Sequence, residues 1–278
     1  MMAGLFAAGS LDMLTLAWLA LAAFVAGIID AIGGGGGLVT VPALALAGLG
    51  PVAAVATNKI NASFGTGSST LAFARAGRID LRRMGPPALA AGAGGVAGAL
   101  ALPYAPNAFI ASALPVLLVA VALYFAFSPG FGDLDHPARL RSATLTAFVI
   151  PAIGFYDGVF GPGAGSFYMA AFAALAGLSA IGAAAHTRLT NFASNFGSAV
   201  IYILAGQVAW TAALAMAPCQ FLGSQLGARL AMKGGARLIR PVLIVVSIAL
   251  AARLASAPGH PLGDWVRAQT RDILAHFF

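Results

Sequence analysis

Charged residues are nearly absent from the long apolar stretches of this chain, and that feature excludes most folds. Ten apolar segments can be drawn, near residues 12–32, 38–48, 51–74, 84–102 and 107–127, then 142–160, 165–177, 179–205, 209–231 and 238–255. Eight reach the roughly 17–25 residues that a helix needs to span a bilayer. The other two, 38–48 and 165–177, are too short, and each follows a glycine-rich break, at 33–37 and 161–165. Of 278 residues 60% are hydrophobic and only 8% charged, against about 25% charged in soluble domains. So little polar surface requires lipid as solvent. The expected fold is an all-α polytopic membrane protein with eight full transmembrane helices and two short broken or re-entrant ones.

The segments fall into two sets of five, a first transmembrane repeat at 12–127 and a second at 142–255. Between them 128–141 is polar and reads as a linker, and 256–278 reads as an interfacial tail. Asp30 precedes the first glycine run as Asp157 precedes the second, and an offset of 129 pairs Gly48-Leu49 with Gly177-Leu178, Lys59 with Arg188 and Gly77 with Gly206. Such duplication is a sign of transporter folds. Basic residues then orient the halves. Arg75, Arg78, Arg82 and Arg83 follow the third segment of the first half, whereas Arg229, Lys233, Arg237 and Arg240 follow the fourth segment of the second. With Arg139 and Arg141 of the linker, ten of fifteen Lys and Arg lie on one side, which the positive-inside rule makes cytoplasmic. Equivalent loops thus face opposite sides, the repeats are expected to be inverted, and both termini are placed outside. Arg253, Arg267 and Arg271 run against that assignment. The net charge of +7 is accounted for by these loops and does not call for nucleic acid. One cysteine, Cys219, permits no disulfide within the chain, no cofactor or metal motif stands out, and the first segment lacks the basic start of a signal peptide.

The ionisable residues left inside the segments are Asp30, Lys59, Asp157 and Arg188, with His186 close by. A charge at the bilayer centre costs about 2.5–3.5 kcal/mol, so each is a functional candidate. Arg188, Asn191, Asn195 and Ser198 share one helical face, and Lys59, Thr66 and Ser69 repeat the register with Ala62 in place of an amide. Thr57, Asn58, Asn61 and Ser68 add donors on the adjoining surface, and Thr187 flanks Arg188. Cations with amide and hydroxyl donors suit an oxyanion. Backbone amides at Gly36, Gly37 and Gly165, with Ser166, could add to it where short helices begin. Asp30, Asp157 and His186 would hold the cations or exchange protons. A plainer reading makes the charges structural ion pairs, the glycines packing residues and the amides interhelical glue. The pattern fits a carrier, an anion channel or a non-transporting sensor or assembly subunit. No nucleophile stands beside a base, as an intramembrane enzyme needs.

Gly-Gly-Gly-Gly-Gly-Leu-Val-Thr-Val-Pro at 33–42 and Ala56-Thr57-Asn58-Lys59 resemble the first repeat of the sulfite exporter TauE/SafE family. Residues 156–167, with Tyr156, Asp157 and Gly158 leading into the second break, then His186-Thr187-Arg188-Leu189-Thr190-Asn191 and Asn195, resemble its second. The resemblance spans about residues 16–255. It implies a bacterial inner-membrane permease for a small sulfite- or sulfonate-like anion, driven by an ion gradient, that of protons. Arg188 stands where the resemblance leads one to expect lysine. A homo-oligomer is compatible with the sequence.

Overall fold

The computed structural model describes residues 11–104 and 132–255, with Leu123, Ala126 and Phe127. Most of the expected segment at 107–127, the first residues of the linker and the tail at 256–278 lie outside the described residues. The helices are α1 (Met13–Gly33), α2 (Gly37–Leu46), α3 (Pro51–Arg75), α4 (Leu81–Ala101), α5 (Ser142–Val159), α6 (Ala164–Ala174), α7 (Ala180–Leu204) and α8 (Trp210–Ala255). No strand occurs among the described residues. Gly235, at φ 51° and ψ −144°, interrupts α8 between the two segments expected there.

Local chemistry sets the ends. The Asp12 carboxylate accepts from the Thr15 N–H at 3.0 Å, and Asp80 accepts from Arg82 and Arg83 at 3.0 and 3.3 Å, so both satisfy open first-turn donors. Pro51 opens α3, where its missing N–H costs nothing. α5 carries a π-helical turn over Leu145–Val149 just before Pro151, whose ring disturbs the regular ladder.

By length and composition alone only α1 and α5, among the described helices, are long and apolar enough to cross a membrane. The count of eight spans is therefore not reached on that measure. α3 and α7 are 25 residues each, and they miss because of the polar residues they bury. The bundle buries charged and polar residues beside its apolar core and exposes large apolar side chains. Asp30, Lys59, Asp157, Arg188, Asn58, Asn61, Asn191 and Asn195 are buried, while Leu21, Phe64, Phe148, Phe196, Leu214 and Leu222 are exposed.

The two halves interlock. α1 lies along α8, and α5 lies along α4, so the first helix of each half packs on the other half's fourth segment. Both seams are glycine-lined and close. A Cβ at Gly223 or Gly227 would stand 2.0 or 2.5 Å from the carbonyl oxygens of Phe24 and Ile28. At Gly94 and Gly98 it would stand 2.3 and 2.1 Å from those of Pro151 and Phe155. The two sets correspond at 129 residues along α4 and α8 and at 127 along α1 and α5, the latter spacing also relating Asp30 to Asp157. α3 and α7 pack in opposite senses, since Lys59 lies against Asn195 whereas Gly67, further along α3, lies against the earlier Phe192. The start of α3 meets the start of α8, where Thr57 Oγ1 accepts from the Ala209 N–H at 3.0 Å. The start of α7 lies instead on the linker, where Asp135 Oδ1 accepts from the Ser179 N–H at 2.7 Å. The linker also touches the basic loops: Arg83 and Leu140 line one cavity, and Asp133 Oδ1 accepts from the Ala236 N–H at 2.9 Å.

Candidate functional site

The two glycine-rich breaks meet. A Cβ on Gly165 would stand 2.5 Å from the Gly34 Cα, and the Ser166 hydroxyl donates to the Gly33 carbonyl at 2.8 Å. Gly34 and Gly163 take positive φ, 77° and 89°, a conformation that glycine adopts without the Cβ clash of other residues. At Gly37 a Cβ would stand 3.2 Å from the Pro162 Cα and 3.6 Å from Asn58 Nδ2.

Around this crossing the four buried charges pair between halves. Lys59 Nζ donates to Asp157 Oδ1 at 2.6 Å and to Asn195 Oδ1 at 3.2 Å. The other carboxylate oxygen of Asp157 accepts from the Ser194 hydroxyl. Arg188 reaches the end of α1, where Nη1 donates to the Asp30 carbonyl oxygen and stands 3.6 Å from Asp30 Oδ2. Asp30 Oδ1 takes the Gly36 N–H at 3.1 Å. Sequence spacing paired each aspartate with a cation without specifying partners; the structure joins Lys59 to Asp157 and Arg188 to Asp30.

The two cations are equally buried, each 0% exposed, but they are not equivalent. Lys59 is committed to a short ion pair and an amide oxygen. Arg188 keeps Nε and Nη2 without a hydrogen-bond partner. Those two nitrogens share one edge of the guanidinium, the edge that offers parallel N–H groups to two oxygens of one anion. Buried charged donors left unpaired are costly, so this edge is chemically open. The Thr187 hydroxyl is also buried and unpartnered.

The remaining candidates divide. Asn191 Oδ1 accepts from Asn195 Nδ2 at 2.9 Å, which orients Asn195 toward Lys59. Asn58 Oδ1 accepts from the Thr40 hydroxyl, fixing α2 to α3. Thr57 is engaged with Ala209 and the Gly36 amide with Asp30. His186 donates through Nδ1 to the Gly182 carbonyl at 2.8 Å. It lines a cavity of about 220 Å³ with Arg83, Pro87 and Leu140, a lining that contains neither Lys59 nor Arg188. In the linker, the Ser179 N–H holds the Asp135 carboxyl below the usual carboxylate range. Two participants escaped sequence reasoning. Thr40 is a lone hydroxyl in an apolar segment, and Ser194 sits one residue off the Arg188–Asn191–Asn195 stripe.

Comparison with known proteins adds the lineage. A family model described as sulfite exporter TauE/SafE matches residues 19–254. A probable membrane transporter protein, ORF9, of a Sinorhizobium species is 48% identical over 90% of this chain and 96% of its own length. The probable membrane transporter protein YfcA of Escherichia coli K12 is 40% identical over 84% of this chain and 86% of its own. A further probable membrane transporter protein from Haemophilus influenzae is 39% identical over 83% of this chain and 91% of its own. No solved structure matches the chain.

Proposed function

The chain belongs to the sulfite exporter TauE/SafE family of membrane transporters, and from that premise we propose that it is a secondary active carrier of a small sulfur-containing oxyanion such as sulfite or an organosulfonate. One observation carries the proposal: the buried Nε–Nη2 edge of Arg188 has no partner in the protein. An oxyanion placed there would satisfy both donors. Lys59, Asp157, Asn195 and Asn191 form the positioning network on the opposite side of the crossing, and Asp30 holds Arg188 when no anion is bound.

Alternating access between two inverted repeats is supported by the matched seams, by the opposite senses of α3 and α7, and by the glycine breaks at the crossing. The contacts of the linker with the loops bearing Arg83 and Arg237 support a single basic, cytoplasmic face. The bacterial inner membrane, outside termini and coupling to an ion gradient belong to the same proposal. Purified protein in liposomes would be screened with sulfite, sulfate, thiosulfate, sulfoacetate and taurine at two pH values. Saturable flux of one sulfur oxyanion that follows an imposed ion gradient is expected. Non-saturating flux indifferent to any gradient would mean a channel, and no flux of any of the five would end the substrate assignment.

A further inference from the structure

A second polar cluster lies away from the four charges, between α1, α3 and α8. Asn61 is fully buried, with neither its amide nitrogen nor its oxygen partnered, and Gln220 is 2% exposed with Oε1 unpartnered. The geometry brings them toward one place. α3 and α8 run in the same sense here: Gly65 lies against Gln220 and Ser224, and the Ser68 hydroxyl donates to the Phe221 carbonyl at 2.7 Å. Asn61 is one turn before Gly65 on α3, and a Cβ on Gly65 would stand 2.8 Å from Gln220 Cγ, 3.0 Å from Gln220 Nε2 and 2.9 Å from the Ser224 hydroxyl oxygen, so Gln220 and Ser224 both flank the turn that Asn61 begins. The Ser224 hydroxyl donates to the Gly27 carbonyl of α1 at 3.2 Å, leaving its lone pairs free.

The fold does not require this cluster. The equivalent positions in the other half, 129 residues away, are Thr190, Ala91 and Gly95. There Thr190 bonds within its own helix, to the His186 carbonyl at 3.1 Å, and the same close seam is built from alanine and glycine. Orphaned buried polar atoms call for an occupant. Neutral amide and hydroxyl oxygens grouped without a carboxylate suit a hard monovalent cation.

Charge balance points the same way. Lys59 and Arg188 already cancel Asp30 and Asp157, so an entering anion leaves the low-dielectric interior with uncompensated negative charge. A cation bound in the same interior offsets it. We propose that Asn61, Gln220 and Ser224 together bind sodium and that this ion is the one co-transported with the anion. The inference rests on the carrier reading above.

The test is binding of radioactive sodium-22 to the purified full chain, with and without sulfite, in choline-balanced buffer. Saturable binding displaced by unlabelled sodium but not by choline is expected, together with sulfite affinity that rises at least severalfold in sodium. Asn61→Asp, nearly isosteric with an added charge, should tighten sodium binding about tenfold, and Gln220→Met should weaken it by a similar factor. Absent or non-saturable binding, with sulfite binding intact in choline, would mean that these side chains hold only water and would leave the anion reading standing. Sodium binding unchanged in both variants would place the ion elsewhere and overturn the assignment. Loss of sulfite binding in every medium would instead count against the carrier reading itself.

Discussion

Arg188→Lys separates the proposed role of the guanidinium from that of its charge. The substitution keeps a cation opposite Asp30, so it avoids the 3–5 kcal/mol or so that follows from leaving a buried carboxylate unpaired. What it removes is the open edge, because Nη1 is already committed to Asp30 and only Nε and Nη2 are free. A lysine ammonium would be drawn into an ion pair, as Lys59 is with Asp157 at 2.6 Å. With Asp30 offering both its carbonyl oxygen and its carboxylate to that side chain, at most one of the three ammonium donors would then remain for the anion. Hydrogen bonds to charged groups contribute about 1.5–3 kcal/mol each, so losing one of two should weaken anion binding by about 10- to 100-fold. Isothermal titration of detergent-purified protein with sulfite would measure it, with the melting temperature as the control for folding. A lysine variant that binds within twofold of the wild type would refute the argument, because charge alone would then suffice.

Other consequences follow from the same geometry. Lys59→Met and Asp157→Asn should each destabilise the bundle, by about 3–5 kcal/mol where one charge is left buried alone, whereas the double variant should recover part of the loss. Thermal unfolding of the four proteins checks this, and strictly additive losses would contradict it. Gly158→Ala would place a Cβ 2.3 Å from the Gly95 carbonyl oxygen and force α4 from α5, at a cost of about 1–3 kcal/mol. Gly85→Ala, with nothing within 4 Å, should melt no lower than the wild type. Asp135 has a folded-state carboxyl pKa below its unfolded value, so its contribution is present above about pH 4 and is lost as pH falls through the folded value. The melting-temperature gap between wild type and Asp135→Ala should therefore narrow on acidification below that point, and a gap that widens would reverse the assignment.

Much of the architecture was legible in the sequence because lipid imposes a simple rule on it. The expected segments 51–74 and 179–205 became Pro51–Arg75 and Ala180–Leu204, and both glycine runs became real helix breaks. The four charges were legible because lipid makes every buried charge conspicuous. Their partners were not. Lys59 is 98 residues from Asp157 and Arg188 is 158 from Asp30, and no local periodicity encodes such pairings. Nor could spacing distinguish two cations at equivalent positions. That difference arises from donor number, since Asp157 and Asn195 occupy two of the three donors of Lys59 while Arg188 has five. Gln220 went unnoticed because one amide in an apolar segment carries no pattern until its neighbours in α1 and α3 are known.

The carrier reading places an oxyanion on the Nε–Nη2 edge of Arg188. Selenite, the heavier congener of sulfite, permits its direct location by anomalous diffraction from crystals soaked at the selenium edge. One strong selenium peak is expected within hydrogen-bonding reach of both nitrogens and absent from crystals of Arg188→Gln. A peak confined to the cavity beside His186 and Arg83, with Arg188 untouched, would contradict it.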